Sequence, residues 1–119
     1  MRETPIYEVP LQAVRGRCRA ERVSGREILI VDTAEGLRVY DGVCPHLGGP
    51  LVEGRFTGRA VVCPWHSYAF DAATGRCLTV PGGVWRLGGL SKGTGRPMPI
   101  ALKPLRHELE GEILRVYAS

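Results

Sequence analysis

The chain is 119 residues long, enough for one domain, and its 44% apolar and 24% charged content is that of an ordinary globular protein. Its net charge of +4 is modest and is not interleaved with aromatic residues, which argues against a nucleic-acid partner. No apolar run approaches the length of a membrane span, and the start Met1-Arg2-Glu3-Thr4-Pro5 lacks an apolar signal core, so the expectation is a cytoplasmic protein with no membrane partner.

In chain order, the first distinctive feature is the basic stretch Arg15, Arg17, Arg19, Arg22 and Arg26. It reads as solvated strand faces and turns; the alternative is a docking face for an acidic protein. Glu27-Ile28-Leu29-Ile30-Val31 predicts a strand between the turn signals Ser24-Gly25 and Ala34-Glu35-Gly36, with Leu37-Arg38-Val39-Tyr40 as its hairpin return. Ala60-Val61-Val62 predicts another strand and Tyr68-Ala69-Phe70 a third, followed by the turn Asp71-Ala72-Ala73-Thr74-Gly75. Arg76 to Val80 reads as a short strand stopped by Pro81-Gly82-Gly83. The stretch 82–99 is dense in Gly and Pro and reads as a long surface loop. Ala101 to Leu109 and Glu112 to Tyr117 flank Glu110-Gly111 as a closing hairpin. No helix of three turns is predicted, and roughly six to nine short strands imply an all-β fold, an antiparallel sandwich or small barrel.

Two short hooks interrupt this β rhythm: Cys44-Pro45-His46 and Cys63-Pro64-Trp65-His66. Each follows apolar, strand-like residues and offers one thiol and one imidazole. In a reducing compartment this pattern binds metal more readily than it forms disulfides. Two thiolates and two imidazoles match a 2Fe–2S centre in which one iron keeps sulfur ligands and the other takes nitrogen. The proline after each cysteine stiffens the loop, and Gly48-Gly49 permits close folding around a bulky group. A structural zinc site is the first rival, but zinc hooks usually group cysteines together and histidines together. Ordinary core packing and nucleophilic Cys/His catalysis are weaker rivals, because the pairing is matched and neither cysteine is singled out. Cys18 and Cys77, in strand-like segments, read as buried thiols acting as small apolar residues. His107, between Arg106 and Glu108, reads as a surface or packing residue.

Cys44-Pro45-His46-Leu47-Gly48-Gly49-Pro50-Leu51, Cys63-Pro64-Trp65-His66-Ser67-Tyr68-Ala69-Phe70-Asp71 and Thr74-Gly75 resemble the two cluster loops of the Rieske iron–sulfur family. The resemblance implies a single Rieske domain over 1–119: a β-sandwich base with a small cluster-binding subdomain at its tip. Its cluster loops would cover about 43–51 and 62–71, and Pro81 would stand in a third loop against the cluster. It further implies one 2Fe–2S cluster, with Cys44 and Cys63 on the inner iron and His46 and His66 on the outer. The extra loop cysteines of the high-potential branch are replaced by glycine (Gly48 or Gly49) and Trp65, so its loop disulfide is absent. Phe70 also stands where that branch has a hydroxyl donor. Fewer hydrogen bonds to the cluster imply a potential in the lower part of the family range, roughly −150 to +300 mV. The implied role is a soluble Rieske-type ferredoxin, monomeric when free, carrying single electrons from a flavin-containing reductase to a terminal oxygenase or other redox enzyme and not catalytic alone. The alternative is a small subunit of a larger enzyme such as a cytoplasmic nitrite reductase.

Overall fold

The structure is a computed structural model that describes residues 4–45, 51–64, 68–79, 85–86, 89–90 and 99–118. Within them the strands are β1 (Tyr7–Pro10), β2 (Cys18–Val23), β3 (Arg26–Thr33), β4 (Gly36–Asp41), β5 (Arg55–Phe56), β6 (Ala60–Val62), β7 (Ala69–Asp71), β8 (Trp85–Arg86), β9 (Gly89–Leu90), β10 (His107–Glu110) and β11 (Ile113–Val116). The helical content of the described residues is two 3-10 turns, Leu11–Ala13 and Leu51–Glu53. All strand pairs are antiparallel, in sheets ordered β1-β11-β10, β2-β3-β4, β5-β6-β7 and β8-β9.

The apolar run Ile28-Leu29-Ile30-Val31 explains how these sheets stack. Side chains alternate across a strand, so a continuous apolar run needs cover on both faces. Ile28 and Ile30 face one core, with Val9, Leu114 and Val116 of the terminal sheet. Leu29 and Val31 face a second core, with Cys44, Cys63, Val61 and Phe70. All four residues of the run are at most 1% exposed. Strand β3 therefore joins a basal core to the core that holds Cys44 and Cys63, which positions the candidate site.

Three arginines of the basic stretch form local pairs: Arg19 with Glu21 at 2.9 Å, Arg22 with Glu27 at 2.6 Å and Arg26 with Asp41 at 4.0 Å. These are solvated strand faces, and pairs of this kind contribute about 0–1 kcal/mol each.

Three segments differ from their sequence reading. Arg76 to Thr79 makes isolated bridges, Phe70 to Cys77 and Arg76 to Ala101, and no extended strand; Val80 lies outside the described residues. The closing hairpin is shorter than expected, because only His107–Glu110 joins the terminal sheet. Ahead of it, Leu102 and Leu105 are buried in the two different cores. Pro104, which has no N–H to give a ladder, makes a single bridge to Tyr40. Finally, the Gly/Pro-rich stretch holds the β8–β9 pair, Trp85 opposite Leu90 and Arg86 opposite Gly89.

Candidate metal centre

Each cysteine stands at the foot of a loop whose neck is closed by a backbone hydrogen bond. The chain leaves β4 through Gly42, whose N–H donates to the Glu27 carbonyl at 2.8 Å. It returns at Leu51, whose N–H donates to the Gly42 carbonyl at 2.9 Å. Cys44 lies in the loop so enclosed. The second loop leaves β6 and closes where the Cys63 N–H donates to the Tyr68 carbonyl at 2.8 Å.

Both thiols point inward. Cys44 is 2% exposed and Cys63 1%, and both belong to the same core cluster as Leu51, Phe70 and Tyr40. The residues beside them stand out: Val43 is 39% exposed, and Pro45 and Pro64 are exposed. None of the four cysteines is in a disulfide. Of the four predicted ligands, Cys44 and Cys63 are buried in the same core; His46 and His66 lie outside the described residues, as do Gly48, Gly49, Trp65 and Pro81. Among the described residues no group of three His, Cys, Asp or Glu is placed to hold a metal.

The turn after β7 explains why Phe70-Asp71 and Thr74-Gly75 accompany the second hook. Asp71 Oδ1 accepts the N–H groups of Ala73 at 2.8 Å and Thr74 at 3.1 Å. Gly75 adopts φ +79°, and a Cβ there would stand 3.1 Å from the Tyr40 ring. Tyr40 in turn donates its hydroxyl to the Ala72 carbonyl at 2.8 Å, and burial raises its pKa. The turn is locked against β4, the strand that feeds the first loop.

Two contributors carry no signal in the sequence pattern. Gly54 follows the 3-10 turn after the first loop, and any Cβ there would collide with the carbonyl of Val62, directly before Cys63. Thr79, 6% exposed, accepts the Ala69 N–H at 3.0 Å where the second loop rejoins β7.

The other sequence candidates fall outside the centre. Cys77 is a third buried thiol in the same core, its Sγ donating to the Thr79 carbonyl at 3.8 Å. Cys18 packs half-buried against that core, and burial pushes its thiol up to about 11, so it is protonated at neutral pH. His107 Nδ1 lies 3.4 Å from the Leu105 carbonyl.

Residues 6–84 match the sequence profile of the Rieske [2Fe-2S] domain. The chain belongs to that family. It is 32% identical over 76 residues to the ferredoxin component of the naphthalene 1,2-dioxygenase system of Pseudomonas aeruginosa, covering 64% of this chain and 69% of that one. It is also 36% identical over 67 residues to the oxygenase component of 3-ketosteroid-9-alpha-monooxygenase of Rhodococcus rhodochrous, covering 56% of this chain. The match spans only 18% of that protein, and 14% of the corresponding Mycobacterium tuberculosis component. Among solved structures, the ferredoxin of carbazole 1,9a-dioxygenase from Nocardioides aromaticivorans shares the fold, with a TM-score of 0.68 at 21% identity over 98% of this Rieske chain and 100% of that one. The described thiols fit the donor set that a Rieske centre draws from its protein: two cysteines, outside any disulfide, buried and in one core.

Proposed function

We propose that this Rieske domain is a one-electron carrier that holds a single 2Fe–2S cluster through Cys44 and Cys63 on one iron and His46 and His66 on the other. The observation that carries the reading is the burial of Cys44 and Cys63 in one core at the necks of two loops. When bound, such a cluster takes up and releases a single electron. The chain's own residues do the rest. The two thiols give up their protons to become ligands. The Cys63 N–H is bonded to Tyr68, which holds the loop closed. Exposed Val43, Pro45 and Pro64 offer an apolar rim beside the buried thiols, where a partner can exclude water.

We take residues 1–119 as one Rieske unit, since its two cores share β3. The partners are a flavin-containing reductase as donor and a terminal oxygenase or other redox enzyme as acceptor, met in the cytoplasm by a monomeric carrier. The ferredoxin relative of the naphthalene system supports this role, and no helix among the described residues is long and apolar enough to cross a membrane. The wholly buried Phe70 lacks a hydroxyl to donate to the cluster. The midpoint is therefore expected in the lower part of the roughly −150 to +300 mV span of Rieske centres.

Purified protein is expected to be red-brown, with iron and acid-labile sulfide in equal amounts, and Cys44→Ser or Cys63→Ser is expected to abolish both. A colourless protein holding zinc would overturn the proposal. Isolation as a stoichiometric complex with a larger enzyme would replace the shuttle with a subunit role.

A further inference from the structure

Thr79 is a buried polar side chain, 6% exposed, and its surroundings give it a task. Between the end of β7 and the segment that follows it, the two chains run antiparallel. The Asp71 N–H donates to the Arg76 carbonyl, and the Leu78 N–H donates to the Ala69 carbonyl, both at 2.8 Å. In a regular antiparallel rung the Ala69 N–H would return the bond to Leu78. Here it donates instead to the Thr79 hydroxyl at 3.0 Å. The hydroxyl substitutes for a backbone carbonyl at the last rung, so the chain can leave the ladder after Thr79 while a buried N–H stays satisfied.

The position of that rung matters. Ala69 directly follows Tyr68, whose carbonyl accepts the Cys63 N–H. Hydrogen bonds thus run from the Ala69 N–H to the Thr79 hydroxyl and from the Cys63 N–H to the Tyr68 carbonyl, across the exit of the second loop. We propose that Thr79 is a positioning residue for the second metal loop: its hydroxyl fixes the Tyr68–Ala69 exit, and through it the placement of Cys63. The inference rests on the proposed iron–sulfur reading and adds a residue that no ligand pattern contains.

The test uses the protein as purified, with Thr79→Val, Thr79→Ser and Leu114→Ala. Valine keeps the shape and removes the acceptor; serine restores it. Leu114 is fully buried in the other core and controls for general destabilisation. Thr79→Val is expected to bleach at least about fivefold faster with a chelator, the lower bound for stranding a buried donor. It is also expected to broaden the electron paramagnetic resonance signal of the reduced protein. Thr79→Ser is expected to stay within about twofold of wild type. Leu114→Ala is expected to melt lower with an unchanged resonance signal. A Thr79→Val protein with wild-type bleaching and resonance, or a Leu114→Ala protein that moves both equally, would overturn the assignment. Hydrogen–deuterium exchange of the segment containing Ala69 separates this inference from the cluster reading, because it is read whether or not iron is present. Faster exchange in Thr79→Val and not in Leu114→Ala is expected, and equal exchange would sink the positioning role by itself. Absence of iron and sulfide from the wild type would instead sink the cluster reading.

Discussion

At Gly54 a single methyl group would push the entry of one cysteine loop away from the exit of the other, because its Cβ would occupy the space of the Val62 carbonyl. A backbone atom cannot rotate away as a side chain can. Gly54→Ala is therefore expected to cost about 1–3 kcal/mol of stability, as overpacking does, and to lower bound iron. Thermal unfolding with a colorimetric iron assay checks both; an unchanged melt with full iron would refute the clash. Cys18 gives a pH prediction. Its folded pKa is raised by burial from 9.0 to about 11, so its contribution is complete below pH 9 and is lost as pH rises through the folded value. Tyr40, also raised by burial, acts in the same direction from its ordinary value of 10.0 upward. Urea midpoints are expected to fall between pH 9 and 11, and to fall less in Cys18→Ala. Legibility at this scale divides along chemical lines. The hooks at Cys44 and Cys63 could be read as candidates because thiol and imidazole at matched short spacing form a donor pattern within neighbouring residues. Gly54 and Thr79 could not, because what constrains each is a backbone atom of another strand.

At the scale of the element, β3 separates two kinds of damage. Leu29 and Ile30 are neighbours with 1% and 0% exposure, yet they face different cores. Truncating either to alanine is expected to cost about 2–5 kcal/mol. Only Leu29→Ala, whose cavity opens in the core that holds Cys44 and Cys63, is expected to accelerate chelator bleaching, while Ile30→Ala keeps the wild-type rate at equal loss of stability. Paired denaturation and bleaching measurements decide it; equal bleaching in both variants would contradict the division. The strand itself was evident in the apolar run, and its burial on both faces was implied by continuity. Which sheet covers which face was not, since that depends on β1, β11 and β6, far away in the chain. The strand expected from Arg76 to Val80 was overread for a related reason. Apolar alternation marks burial, but the segment spends its hydrogen bonds on separate partners, Ala69, Asp71 and Ile100, and forms no continuous ladder.

At the scale of the whole molecule, the sharing of one strand by two cores predicts unequal dependence on metal. Ligation couples binding to the order of the loops it clamps, whereas Leu114 and Val116 of the terminal sheet are buried in the other core. Chelation is expected to raise deuterium uptake over residues 62–71 and to leave residues 113–117 protected; simultaneous loss in both would show a single cooperative unit instead. The necks at Gly42–Leu51 and Cys63–Tyr68 have a consequence for engineering. The backbone is already joined across each opening. On the proposed ligand set, exchanging both His46 and His66 for cysteine would therefore turn the same framework into an all-sulfur host.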